Sequence, residues 1–530
     1  MEETINTTTQ SANTTPTKER RHTAPLRGFE SVPSSPSVQG RFGRMFRNLP
    51  VFDPEDSDLV KLAEGMIQPL EDDKNPEQPD DDENLEIPAG YTYLGQFIDH
   101  DITFDPVSSL QRQNDPDALV DFRTPRFDLD NLYGRGPDDQ PYMYQGDGVK
   151  LLLGNLVSQQ SDFGGPDLPR NSAGRALIGD PRNDENKIVS QLQSVFIRFH
   201  NAMVDKVAQK TNLAGDRLLK EAQRQVRWHY QWVVLHDFLP RILAGKNIAE
   251  GEKIIESILH KEEYVAGVAK GKAIKSTSLR VQLKFYSWRD QPFMPVEFSA
   301  AAYRFGHSMI RPRYYFNDRI RQPKADAAFG RTSIFSKTQD PRKNLNSFKP
   351  LPGDWGFQWK YFYELGGSVP DFPRFKLPQP SYKIDSVLVF PLKQLPPPII
   401  SPKDKVTSLA ERNLRRGKAL GLPSGQNVAR TMGIEPLTTS DLELEKLGLK
   451  GSSIDGNAPL WFYILKEAET IGDSAHLGPV GGRIVAEVLI GLLWGDPLSY
   501  LRVQPSWSPE LANDDGKFGM PQLVKFAVGG

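Results

Sequence analysis

Apolar residues in this chain recur mainly at three- and four-residue steps. Across 183–207 (NDENKIVSQLQSVFIRFHNAMVDKV) they stand at 188, 192, 195, 196, 199, 203 and 207, one face of a helix of period 3.6. Asn183 is placed to cap that helix, with Asp184 and Glu185 favouring its first turn. Residues 216–239 predict a second long helix, stopped by Pro240. Residues 296–311 (VEFSAAAYRFGHSMIR) predict a third, with Pro295 suited to its first turn and Pro312 ending it. Residues 482–495 read as a buried helix, because the run IVAEVLIGLLW is shorter than the roughly 18–20 apolar residues that span a bilayer. No internal repeat and no alternation of strands with helices is visible. The pattern therefore predicts a mainly α fold, a large single domain with few short strands.

Three stretches break the pattern. Residues 1–45 are rich in Thr, Ser, Asn, Pro and Arg and predict a disordered tail, leaving 46–530 as the folded body. Residues 71–84 (EDDKNPEQPDDDEN) carry eight acids against one Lys and read as a solvated loop. The proline-rich segment 370–402 predicts extended surface chain. Composition then narrows the chemistry. A net charge of −2 gives no reason to expect nucleic acid or an acidic membrane as a partner. The absence of cysteine excludes disulfides, thiolate metal sites and a Cys nucleophile, but leaves the compartment open between secretion and the cytoplasm. No cleavable secretory signal is recognisable at the start of the chain.

The ionisable groups at 95–104 (GQFIDHDITF) stand out, because Asp99, His100 and Asp101 interrupt an apolar run. On a helix, successive residues advance by about 100°, so the two carboxylates project about 200° apart with His100 between them. They cannot share one site. Gln96 shares the His100 face, one turn earlier. A second acidic cluster, FRTPRFDLDNLYG, offers Asp128 and Asp130 with Thr124 upstream, an oxygen-rich spacing that suits Ca²⁺. In GDPRNDEN, Arg182 and Glu185 are three apart and can face one cavity. In AAYRFGHSMIRP, His307 shares a face with Arg304 and is flanked by small residues that would let a flat, bulky group approach. Of the other histidines, His22 lies in the tail, and His200, His229, His236, His260 and His476 have no supporting constellation and read as structural.

Taken in order, these segments resemble the animal-type haem peroxidase family over roughly residues 40–530. GQFIDHDITF is similar to its distal-histidine motif, TPRFDLDNLYG to its calcium loop, GDPRNDE to its distal-arginine motif and YRFGHSMI to its proximal-histidine helix. RNLRRGKALGLPSG is similar to the segment that supplies an asparagine partner to the proximal histidine. The resemblance implies His307 as axial ligand of haem iron, Asn413 accepting a hydrogen bond from its other ring nitrogen, and Arg304 and Arg416 pairing with haem propionates. It implies His100 as distal base, Arg182 as its electrostatic partner and Gln96 lining the distal pocket. Asp99 and Glu185 would esterify the haem periphery. Asp101, Thr124, Asp128, Asp130 and the Arg126 carbonyl would hold Ca²⁺. Asn186 stands where one member carries a haem-bonding Met, so a third covalent bond is not expected. The implied reaction reduces hydrogen peroxide and oxidises halide, thiocyanate or a small phenolic donor, an activity tied to the oxidative-stress response. The alternative is a haem-dependent fatty-acid dioxygenase, which would need a tyrosine three residues before His307. Arg304 stands there, and Tyr303, one step off, is expected to point about 100° away.

Overall fold

The computed structural model describes residues 40–69, 80–103, 120–121, 124–157, 165–243, 248–269, 272–289, 291–318, 331–335, 344–346, 348–366, 377–397, 399–400 and 404–529. The fold is mainly helical. Its longer helices are α1 (Asp56–Gly65), α2 (Gly90–Ile102), α3 (Lys187–Lys210), α4 (Gly215–Val233), α5 (Ile248–Glu256), α6 (Leu409–Ala419), α7 (Gly425–Met432), α8 (Leu460–Ile471), α9 (Pro479–Gly495) and α10 (Met520–Val528). Helix α9 is the buried helix expected from its apolar run, with Ile484, Val485, Val488, Leu489 and Leu492 all inaccessible. Among the described residues no helix is long and apolar enough to cross a membrane.

The core forms where α2, α3 and α4 meet. Phe97 of α2 stacks on Phe196 of α3 at 4.4 Å, and Tyr230 of α4 presents its edge to both rings. Offset and edge-on aromatic pairs add to the area they bury, so this knot fixes α2 against the two longest helices. The start of α2 is equally constrained. The Gly90 N–H donates to the Phe362 carbonyl, and a Cβ at position 90 would lie 2.5 Å from that oxygen, so only glycine lets the two backbones touch.

Short strands tie distant segments together. Gly40–Gly43 pairs antiparallel with Val120–Asp121 and parallel with Met294–Pro295. Just beyond, the backbone N–H groups of Met45 and Phe46 donate to the buried Glu297 carboxylate. Glu83–Pro88, which leads into α2, pairs antiparallel with Pro380–Tyr382.

The structure corrects several expectations. Residues 1–39 of the expected tail lie outside the described residues, but 40–43 form a strand and Phe42 is buried. Of the acidic stretch, 71–79 lies outside the described residues, and Glu83 begins a strand and pairs with Arg311 at 2.7 Å. The proline-rich segment is only partly described. What is described is not surface chain: Ile384, Leu388 and Leu392 are fully buried. Strands are not all short, because Leu259–Ala269 and Lys272–Val281 make a long antiparallel hairpin. Helix α3 starts later than expected. Asn183 sits in a 3₁₀ turn (Pro181–Asp184), and Asn186 is the cap, its side-chain oxygen accepting from the N–H groups of Ile188 and Val189. Pro240 does not stop its helix. A π-helical turn (Val234–Phe238) follows α4, and the chain restarts as Leu239–Ile242 with Pro240 in the first turn, where a missing N–H costs nothing. The expected helix 296–311 is broken. Val296–Ser299 is α-helical, the backbone leaves helical geometry at Ala301, and Ala302–His307 is a 3₁₀ helix. The Arg304 Nε–H donates to the Ser299 carbonyl at this break, supplying a partner that a continuous helix would have provided.

Candidate active site

One pocket, about 1050 Å³ with the solvent-open space at its mouth included, brings the motif residues together. α2 contributes Gln96, Asp99 and His100, the start of α3 contributes Glu185 and Asn186, and the 3₁₀ helix contributes Tyr303, Arg304 and His307. The remaining wall is apolar and includes Phe238, Phe305, Ile334, Phe335, Leu392 and Leu395. His100 and His307, some two hundred residues apart in sequence, thus line the same space.

On the α2 side, helical geometry separates the three ionisable groups as expected. Asp99 and His100 line the cavity, whereas Asp101 is fully buried away from it. Its carboxylate joins those of Asp128 and Asp130, with ligand atoms all within 4.8 Å of one another. The Thr124 hydroxyl donates to Asp128 at 2.7 Å, so it belongs to the same cluster. Three carboxylates this close repel one another, and a divalent cation is the charge that suits them.

His100 Nδ1 is held by the Asn183 side-chain oxygen at 2.7 Å. An acceptor there puts the ring proton on Nδ1 and leaves Nε2 with its lone pair. Burial, reinforced by the nearby Arg182 charge, pushes the His100 pKa down to about 4, so the imidazole is neutral near pH 7. Asn183 was read from the sequence as a helix cap, and its role beside His100 was missed. Its position inside GDPRNDEN was the only available signal.

Arg182 departs from expectation. Its guanidinium does not line the cavity. It binds Asp180 at 2.8 Å and donates to the backbone carbonyls of His100 (3.2 Å) and Thr103. It lies 3.9 Å from Asp99. Arg182 therefore fastens the end of α2 and acts on His100 through its field. Gln96 sits between two neighbours, donating to Glu185 and accepting from Asn186 at 3.0 Å. Burial raises the Glu185 pKa to about 7, against the opposing pull of Arg182.

Across the cavity, His307 Nδ1 lies 2.8 Å from the Asn413 amide nitrogen, while the Asn413 oxygen accepts from Arg304 at 2.8 Å. This reverses the expected polarity. Arginine has only donors, so it claims the amide oxygen and turns the NH₂ toward the histidine. Burial, with Arg304 adding, pushes the His307 pKa down to about 3. Arg304 itself is lowered to about 10 by burial and by the like charge of Arg416. Arg416 does not line the cavity. Tyr303 also departs from expectation. It lines the cavity despite being one step from Arg304, because the break at Ala301 re-aims the turn, and its hydroxyl has no hydrogen-bond partner among the described residues.

A profile described as animal haem peroxidase matches residues 109–447, well over half of the chain. The chain belongs to the animal haem peroxidase family. Among curated family members, human eosinophil peroxidase is 24% identical over 318 residues, covering 57% of this chain and 36% of its own length. Human thyroid peroxidase is 25% identical over 345 residues, covering 62% and 31%. The chain thus spans about a third of the length of these relatives. Peroxidase A from Dictyostelium discoideum shares the fold at a TM-score of 0.57 and 15% identity, covering 91% of both chains. A fatty acid alpha-dioxygenase from Oryza sativa, solved with palmitic acid, shares it at 0.56 and 15%, covering 91% of this chain and 78% of its own. The haem peroxidase family fold is therefore common to peroxidases and dioxygenases.

Proposed function

We propose that this protein is a haem peroxidase that reduces hydrogen peroxide and oxidises halide, thiocyanate or small phenolic donors. The observation that carries the proposal is the single cavity lined by His100 on one side and His307 on the other. The residues fit haem. The cavity is walled largely by apolar groups, as a macrocycle needs, and the half-buried Arg304 on its wall, already repelled by Arg416 behind it, offers a cation that an anionic propionate would pair with. His307 would be the axial ligand, oriented by Asn413 once the amide oxygen turns to accept its Nδ1–H. Asp99 and Glu185 would lie at the haem periphery and supply its ester bonds. Asp101, Thr124, Asp128, Asp130 and the carbonyl of Arg126 would hold Ca²⁺. When bound, haem supplies the redox chemistry, accepting oxidising equivalents from peroxide and passing them to a donor.

This chain's own residues handle the protons and charge. His100, neutral and with Nε2 free, takes the first proton from peroxide and returns it to the departing oxygen. Asn183 holds its tautomer. Arg182, at the C-terminal end of α2, reinforces the burial that keeps the imidazole neutral and favours negative charge developing in the cavity. Gln96, held between Glu185 and Asn186, offers the cavity an ordered polar edge for water or a small anion. The Asp101 cluster fixes the far side of α2, so that a bound cation would aim His100.

The test is reconstitution with haem and Ca²⁺. A Soret band lost in His307→Ala and peroxide-dependent oxidation of iodide or thiocyanate lost in His100→Ala are expected. A Soret band that survives His307→Ala would end the proposal. Haem resisting acid–acetone extraction, but released from the Asp99→Ala/Glu185→Ala double variant, is the expected sign of the esters.

Tyr303 favours a second reading, a fatty-acid dioxygenase, because its unpartnered hydroxyl stands at an apolar cavity. Oxygen uptake with a long-chain fatty acid, abolished by Tyr303→Phe, is the outcome that would support it over the first.

A further inference from the structure

Away from the cavity, an aromatic cluster gathers on one face of α4 and its π-helical continuation. The Trp232 and His236 rings lie 4.0 Å apart. Tyr500 lies 5.7 Å from Trp232, and Trp507 lies 5.5 Å from Tyr500 and 5.9 Å from Trp232. Trp228 closes the group at 5.4 Å from Trp507. Three of the eight tryptophans of the chain are therefore joined here, with Trp507 touching both Trp228 and Trp232. The cluster runs from inside to outside: Tyr500 is fully buried, whereas Trp232 and His236 are half-buried and reach solvent. At its inner end the Tyr500 hydroxyl lies 2.9 Å from His236 Nε2. His236 had been read as a structural histidine.

The π-helical turn joins this cluster to the cavity. Within Val234–Phe238, His236 faces the cluster, Asp237 accepts from the Tyr91 hydroxyl at 2.9 Å, and Phe238 lines the cavity, 6.4 Å from the Tyr303 ring. One residue separates the ring on the cavity wall from the ring in the cluster, at most about 7.6 Å between their Cα atoms. Single π-turns of this kind recur at functional sites.

We propose that the Trp232–His236–Tyr500 cluster is a second oxidation site, where electron-rich aromatic donors too large to enter the cavity deliver electrons at the protein surface. The inference rests on the peroxidase reading given above, with hydrogen peroxide as the oxidant. Tyr500 gives one electron toward the cavity and passes its hydroxyl proton to His236 Nε2, leaving a neutral tyrosyl radical beside a protonated imidazole. The donor, a phenol, then returns one electron through the half-buried Trp232 ring, where it reaches solvent. His236 gives its proton back to Tyr500, and the phenol releases its own to solvent. Two such cycles supply the two electrons that convert one hydrogen peroxide, with two protons, to two waters; two phenols become two phenoxyl radicals. Burial, with Lys261 adding, lowers the His236 pKa to about 3, so its lone pair stays open to the Tyr500 hydroxyl at neutral pH.

The test uses haem-loaded protein, with phenol-grafted dextran as the large donor and iodide as the small one. Trp232→Phe and Tyr500→Phe are expected to lower peroxide-dependent oxidation of the dextran at least tenfold and leave iodide oxidation within twofold. Freeze-quenched electron paramagnetic resonance after peroxide is expected to show a tyrosyl signal that disappears in Tyr500→Phe and changes its hyperfine pattern in His236→Gln. If Tyr500→Phe does not fold, as judged by a lost Soret band, Trp232→Phe and His236→Gln carry the test. Dextran oxidation unchanged in Trp232→Phe, or a radical signal unchanged in His236→Gln, overturns the inference while leaving the peroxidase reading intact. Absence of any peroxide-dependent oxidation of iodide, thiocyanate or a small phenol by the unaltered protein overturns both.

Discussion

The two walls of the cavity are built in different ways. The α2 wall is a regular helix whose neighbours were readable one by one. Its Asp99, His100 and Asp101 point to the cavity edge, the cavity and the acidic cluster, as a 100° step requires. The His307 wall is a short 3₁₀ turn after a backbone break, and its residues are aimed by what they touch: Asn413, far along the chain, for His307 and Arg304, and the nearby Ser299 carbonyl for Arg304. A regular helix aims its groups through its own geometry, whereas an irregular turn is aimed by what it touches. The first wall is therefore stiff and pinned at both faces. The second depends on two hydrogen bonds to one amide and one to a neighbouring carbonyl.

The largest break in that comparison is His307→Ala. It should abolish the Soret band on haem titration while leaving the far-ultraviolet circular dichroism of the protein unchanged. Next is the stiff wall. Phe97→Ala removes the ring that joins α2 to α3 and α4 and should destabilise the protein by about 3–5 kcal/mol in urea unfolding. Asn413→Ala should cost less in stability but weaken haem affinity about 10–100-fold, the usual scale for losing the partner of a metal-bound histidine. An intermediate effect should follow cation removal. A chelator should lower the melting temperature of the unaltered protein but not that of Asp101→Ala, measured by differential scanning fluorimetry. The smallest effect tests a histidine outside both walls. Burial lowers the His200 pKa to about 4, against about 6.5 unfolded, so below pH 6.5 the unfolded state binds a proton that the native state refuses. Its contribution makes stability fall as pH drops from 6.5 toward 4, by about 1 kcal/mol at pH 6 and on the order of 3 kcal/mol below pH 4. His200→Gln should flatten that part of the urea-unfolding free energy against pH.

What the sequence made legible follows the same division. The 3.6 period of 183–207 and the apolar run of 484–494 located α3 and α9, because a helix face is a local property of the chain. The direction of each group in 95–104 was likewise local. The break at Ala301 was not, since SAAA favours helix by propensity and only the docking of Arg304 on Ser299 and Asn413 explains the turn. Asn183 beside His100, and Tyr303 at the cavity, were hidden for the same reason: each depends on a contact with a distant segment. The Arg182 motif was found but its reach was misjudged, because spacing gives a face of a helix and not the length of a side chain's tether to Asp180.

The pairing of Gly40–Gly43 has a consequence in time. One of its partners, Met294–Pro295, and the carboxylate of Glu297 that receives Met45 and Phe46, are made some two hundred and fifty residues after it. Its backbone groups must wait for them, and contacts so distant in sequence form slowly. The beginning of the described chain is thus fastened only once Glu297 has been made. The segment it fastens carries Glu297, ten residues before His307, so the wall that aims His307 is tied to chain made some two hundred and fifty residues earlier.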